Sequence, residues 1–140
     1  MRLLIDTNIF IYMATDPDSL SHDVRTLLED YENRIRISVE SVRELVVSFN
    51  NGGAVSRHWS TSKKMLDDIK NTYFVDVLPL QESVMKTYAM LRINTNQDHR
   101  DPSDHVIISH ALTLGIPLIS SDRKFPFYRS QGLDLIENRK

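Results

Sequence analysis

The chain has 140 residues, 41% of them hydrophobic and none of them Cys, and its 17 Lys plus Arg against 19 Asp plus Glu give a formal charge of -2. That length suits a single domain, 1–140, able to bury roughly 70% of its unfolded surface. The charge balance excludes a general basic excess for holding nucleic acid, and the missing Cys excludes disulfides and thiolate metal sites, leaving O and N ligands.

Leu3-Leu4-Ile5 has the pattern of a short buried strand that places Asp6-Thr7-Asn8 at its carboxyl end, where open α/β sheets bind ligands. Asp6 and Asn8 also break the apolar start before any small-residue cleavage site. No apolar stretch reaches the roughly 20 residues of a membrane span, so the expectation is a soluble, cytoplasmic protein. Val24, Leu27, Leu28 and Tyr31 recur at helical spacing, as do Val42, Leu45, Val46 and Phe49. Between them Ile35-Arg36-Ile37 alternates like a strand, and Ser38 to Ser41 supply helix-start chemistry that puts Glu44 in the first turn or two. Asn50-Asn51-Gly52-Gly53 marks a loop. A polar helix is expected over Val55 to Asn71, a strand near Tyr73 to Leu78 stopped by Pro79, and a helix carrying Val84, Tyr88 and Leu91. Asp101-Pro102 is an N-cap followed by Pro at the first helical position, opening what should be the most buried helix, closed by Gly115. Pro117-Leu118-Ile119 gives a brief strand, Ser120-Ser121-Asp122 a turn, and Leu133 to Ile136 a last edge strand. Strands separated by helices predict an α/β/α sandwich with a short, mainly parallel central sheet.

Four acids, Asp6, Glu44, Asp104 and Asp122, stand where apolar segments give way to helix starts or turns. Each has an ordinary explanation: Asp6 can cap a helix, Ser41-Val-Arg-Glu44 fits a capping box, Asp104 suits a first turn and Asp122 a tight turn. Their joint placement on one sheet edge is harder to explain that way. Two carboxylates 4 Å apart repel by about 4 kcal/mol at an effective dielectric of 20, so a cluster demands protonation or a counter-ion. Oxygen ligands without thiolates favour Mg²⁺ or Mn²⁺. His105 and His110 are five apart and do not share a helical face, which argues against a His-based zinc site; His22 and His58 have the character of surface residues.

These residues resemble PIN-domain ribonucleases, and among them the VapC-type toxins of toxin-antitoxin pairs. The resemblance rests on Asp6-Thr7-Asn8, Glu44, the run His99-Arg-Asp-Pro-Ser-Asp104 and Ser120-Ser-Asp122, and spans nearly the whole chain. It implies a PIN-like fold, an acidic Mg²⁺ or Mn²⁺ site formed by Asp6, Glu44, Asp104 and Asp122, and polar support from Asn8 and Ser120. It also implies RNA phosphodiester hydrolysis leaving 5′-phosphate and 3′-hydroxyl ends, a homodimer, and a small antitoxin partner. Ser103, His105 and Ser120 depart from the usual aromatic, Arg and Thr, which puts substrate preference in question rather than catalysis.

Phosphate contacts would fall to Arg100, Arg123 and Lys124, which flank two of the acids. Arg57-His58-Trp59 with Lys63-Lys64 forms a second basic patch, although a solvated helix face accounts for the lysines and a core or interface position for Trp59. Phe125-Pro126-Phe127-Tyr128 is expected to pack beside the site. Two rival readings remain: a noncatalytic PIN-like module that binds RNA or protein, and a haloacid-dehalogenase-type phosphatase. The latter needs an acid two residues after Asp6, where this chain has Asn8.

Overall fold

The computed structural model describes residues 1–140. Its centre is strand β1 (Arg2–Ile5), where Leu3, Leu4 and Ile5 are all fully buried, because helices cover both faces of the sheet. β2 (Arg34–Ser38) and β3 (Asp76–Leu78) extend the sheet on one side of β1, and β4 (Leu118–Ser120) and β5 (Leu135–Glu137) on the other. The order is β3-β2-β1-β4-β5 and every pairing is parallel. The chain therefore leaves β1 in one direction and returns past it to reach β4. That reversal creates a crevice between the carboxyl ends of β1 and β4.

The twofold side-chain period of the strands divides the core into two layers. Leu3 and Ile5 of β1, with Ile35 and Ile37 of β2, face helices α1 (Thr7–Thr15), α2 (His22–Glu29), α3 (Val39–Asn50), α4 (Val55–His58) and α5 (Ser62–Asn71). Leu4 and Leu118 face the opposite layer, built by α7 (Pro102–Leu114) and a 3₁₀ segment, Phe125–Gln131. α6 (Glu82–Met90) packs against α7. Eight of the thirteen residues of α7 are buried, and Gly115 closes it as expected, with a left-handed φ of 65°. A helix leading into a parallel strand runs antiparallel to it, so the amino end of α7 lies at the same edge as the ends of β1 and β4.

Several boundaries differ from expectation for identifiable reasons. α2 stops at Glu29, and Tyr31 is 93% exposed beyond it. The polar helix is two helices, because Trp59 is extended and Thr61 caps α5 by accepting a bond from the Lys64 N–H. Trp59 is core: its ring stacks on Phe10 with centroids 6.2 Å apart, and its indole N–H donates to Asp68 at 2.8 Å. Lys63 and Lys64 pair with Asp67 and Asp68 on a solvated face. The third strand starts only at Asp76, since Phe74 takes a φ of 54° and the Val75 N–H bonds back to Ile69. The last strand starts two residues later than expected and ends one later, at Leu135–Glu137. Phe125 and Tyr128 are fully buried, so the aromatic run does pack inward.

Because α7 positions one acid through its packing on β1 and β4, its core contacts should carry much of the stability. Ile107→Ala is expected to cost 2–5 kcal/mol, read from the urea midpoint of a denaturation curve; a change below about 0.5 kcal/mol would contradict the assigned core.

Candidate metal centre

Asp6 follows the last residue of β1 and caps α1: its Oδ1 accepts the Thr7 N–H at 2.8 Å. Its Oδ2 accepts the Ser120 hydroxyl, from the end of β4, at 2.7 Å. Glu44 projects from the second turn of α3. The predicted capping box at Ser41 is not formed, since Ser38 is the cap, accepting from the Glu40 N–H, and Ser41 lies inside the helix. Glu44 instead accepts the Thr7 hydroxyl at 2.5 Å. Asp104 sits in the first turn of α7 behind the Asp101-Pro102 cap, and Asp122 lies in the turn after β4, accepting the Lys124 N–H at 2.8 Å.

The geometry has one pivot. Ligand atoms of Glu44, Asp101 and Asp104 lie within 4.8 Å of one another, and so do those of His99, Asp104 and Asp122. Asp104 belongs to both groups. Asp6 belongs to neither, but it lies close enough to feel the charges of Asp104 and Glu44. Asp101 and His99 are therefore additions to the four acids expected from sequence. Asp101 stands one helical turn before Asp104, a spacing that was visible but was fully explained by capping. His99 opens the run that carries the resemblance, but its role was not legible there, because it depends on Tyr128, 29 residues away.

Burial is the main electrostatic fact. It pushes the Asp6 carboxyl up from 3.8 to about 7, with Asp104 and Glu44 adding to the rise and the Ser120 and Thr7 hydrogen bonds opposing it. It also lifts Asp104 to about 8, reinforced by the negative charges of Asp101, Asp122 and Glu44 and opposed by Lys124. Glu44 is raised by burial as well, against the Thr7 hydrogen bond. For Asp6 the displacement corresponds to about 4 kcal/mol disfavouring the charged form. The Ser103 hydroxyl, beside Glu44, is buried with no partner of good hydrogen-bonding geometry. Crowded, desolvated oxygens with spare polar capacity fit a hard divalent cation that keeps some of its waters.

The supporting residues are redistributed. Ser120 holds Asp6 directly and also accepts the Asp122 N–H at 3.0 Å. Asn8 is exposed and bonds to none of the acids; Thr7 takes the place expected of it. Arg100 is exposed and paired with Asp98. Arg123 is exposed, while Lys124 is half-buried and near enough to oppose the rise of Asp104. His105 and His110 are buried and bond to the His99 carbonyl and the Ser38 hydroxyl, so neither faces the acids as a ligand pair.

The fold and the site together define a parallel α/β domain with acidic side chains gathered at its switch point. The family is shown by sequence: residues 3–130 match the PIN domain, and the chain belongs to the PIN-domain family. No curated protein matches it. Among solved structures it is similar to VapBC-1 from nontypeable Haemophilus influenzae, at 25% identity and a TM-score of 0.70, covering 100% of both chains. It is also similar to VapBC2 from Rickettsia felis bound to a promoter DNA fragment, at 21% identity, a TM-score of 0.72 and 98% of both chains. FitAcB from Neisseria gonorrhoeae aligns at 18% identity, a TM-score of 0.67 and 96% of both chains.

The raised carboxyls imply a pH dependence with a definite sign. Between its ordinary and its folded value each binds more protons in the fold, so the metal-free protein loses stability as pH rises through that window. His99, His105 and His110, lowered by burial, act in the opposite sense but only below about 6.5. From pH 7 to pH 8.5 in EDTA, stability should therefore fall by about 1.5 kcal/mol, and Asp104→Asn should remove most of that fall. Urea titrations at the two pH values check this; stability rising with pH would contradict the assignment.

Proposed function

We propose that this chain is a divalent-metal-dependent endoribonuclease and the toxin of a toxin-antitoxin pair. The observation that carries the reading is Asp104: one half-buried carboxylate shared by two clusters of possible ligands, close enough to raise Asp6 and itself raised despite the nearby Lys124. Capping does not account for that arrangement, because Asp6 and Asp101 cap α1 and α7 by themselves and capping does not require Glu44, Asp104 or Asp122 beside them.

In this reading Asp6, Glu44 and Asp104 hold the principal ion, Mg²⁺ or Mn²⁺, directly or through water. Asp122 holds a second ion or orients the attacking water. When bound, such an ion lowers the pKa of a water and neutralises charge on the scissile phosphate. Ser120 and Thr7 keep the Asp6 and Glu44 carboxylates in place by donating to them. Lys124, with Arg123 beside it, offers positive charge to a phosphate entering over Asp104. Arg100 contributes only if it leaves Asp98. The toxin assignment, with its antitoxin partner and RNA substrate, is supported by family membership and by likeness to VapBC and FitAB complexes. Retention of all four acids favours a catalytic protein over a binding module.

Purified protein should cleave RNA with Mn²⁺ or Mg²⁺ and not in EDTA; equal cleavage in EDTA would sink the metal mechanism. Asp6→Asn keeps the shape, since its amide can still accept from Thr7 and donate to Ser120, so it should fold normally while losing at least 100-fold in rate. Replacing Arg123 and Lys124 with Ala should weaken RNA binding and reduce its salt dependence by about one to two in the slope of log K against log salt. An unchanged slope would remove these residues from the substrate path.

A further inference from the structure

The carboxylate that the two acidic groups share is itself gripped from behind. His99 is buried, with Nε2 2.9 Å from Asp104 Oδ2 and Nδ1 2.9 Å from the Tyr128 hydroxyl. The ring nitrogens can donate or accept according to the tautomer, which is assigned by counting the donors around them. The Tyr128 oxygen accepts the Asn94 N–H at 3.1 Å, which leaves its own proton for His99 Nδ1. The imidazole then carries its proton on Nε2 and donates it to Asp104. Asn94 is fully buried and also saturated: its amide donates to Gln97 Oε1 at 2.7 Å and to the Lys124 carbonyl at 3.1 Å, and it accepts the Gln97 N–H at 3.2 Å. A single relay thus runs from the turn that carries Asp122 and Lys124, through Asn94, Tyr128 and His99, to Asp104.

We propose that His99 is a positioning residue for the metal site: held in one tautomer by Tyr128, it fixes the Asp104 carboxylate for cation binding without itself becoming a ligand. The proposal rests on the metal reading above. Two features oppose the simpler idea that His99 ligates the ion. Ligation through Nε2 would require the proton on Nδ1, and the Tyr128 hydroxyl would then accept twice and have nothing to donate to. The His99 carbonyl is moreover held by the His105 ring at 3.0 Å, and the ring is packed edge-on against His105 and Tyr128, so the imidazole has little freedom to turn. With Oδ2 committed to His99, Asp104 keeps Oδ1 and one lone pair of Oδ2 for the cleft. Ligating carboxylates commonly depend on such outer hydrogen bonds, whose loss costs 10–100-fold in metal affinity.

The test measures Mn²⁺ binding to the full chain by electron paramagnetic resonance titration, without substrate, beside RNA cleavage as a function of Mn²⁺. His99→Leu should weaken Mn²⁺ binding roughly 10–100-fold. His99→Gln, which can still donate to Asp104, should recover part of that loss. Tyr128→Phe removes one oxygen from the relay and should weaken binding in the same direction by a smaller factor. It keeps the question answerable should His99→Leu not fold, which circular dichroism and melting in EDTA would reveal. At saturating Mn²⁺ the folded variants should regain most of the wild-type turnover, the defect appearing as a raised activation constant. Wild-type Mn²⁺ affinity in Tyr128→Phe and in folded His99→Leu would overturn the proposal, as would directly bound ¹⁴N in the electron spin-echo spectrum of the wild-type complex. Failure of the wild-type protein to bind Mn²⁺ at all would overturn the metal reading, and this inference with it.

Discussion

The constraint on which the rest of this structure turns is the cost of holding carboxylates together away from water. Asp6, Glu44 and Asp104 are all raised by burial; Asp104 and Glu44 further raise Asp6, and Glu44 further raises Asp104. A pair at 4 Å repels by about 4 kcal/mol at an effective dielectric of 20, comparable with a large part of a domain's net stability. A fold keeps such an arrangement only if its packing over-determines the positions. Here the packing does: β1 is buried on both faces, and α7 is buried over most of its length. The same layers that make the sheet inaccessible deliver the acids to its one open edge.

Short-range hydrogen bonds complete what packing begins. Thr7 donates its backbone N–H to Asp6 and its hydroxyl to Glu44; Ser120 donates to Asp6 and accepts from the Asp122 N–H. Every side-chain hydroxyl in this line points its proton at a carboxylate. These bonds favour the ionised forms and so oppose burial, but they do not cancel it, as the upward shifts at Asp6 and Glu44 show. The residual imbalance is what an external cation would relieve. It also explains why the site tolerates Ser rather than Thr at position 120: a hydroxyl is needed there, and the methyl group is not.

Much of this was legible in the sequence, and the parts that were not share a physical cause. Strands such as Leu3-Leu4-Ile5 and caps such as Asp101-Pro102 are local, so their residue types announce them. The acids could be placed on one edge because a parallel topology leaves few alternatives. What escaped were interactions set by tertiary packing. Trp59 ends a polar helical run only because its ring has Phe10 to stack on, and the Phe74 backbone turns left-handed to bring Val75 into the core. Thr7 outranks Asn8 because α1 turns residue 7 inward and residue 8 to solvent, a one-residue difference in helical phase. His99 depends on a hydroxyl from the far end of the chain.

The distribution of cations carries the argument one step further. Arg43, one residue from Glu44, is bound by both oxygens of Glu40 at 2.9 and 2.8 Å, and Arg100, beside Asp101, is paired with Asp98. These two arginines are thus matched to other carboxylates, and neither neutralises the cluster. Lys124 is the positive side chain that opposes the rise of Asp104, and its backbone is tied down through Asn94 while its ammonium makes no ion pair. An internal salt bridge to Asp104 would have lowered the carboxyl and stabilised the fold, but it would also have occupied the oxygens a metal needs. Leaving the lysine near the cluster yet unbound keeps a positive charge available to a phosphate. On this view the site exchanges stability in the metal-free state for unfilled ligand capacity, which is what the proposed cation and its phosphodiester would use.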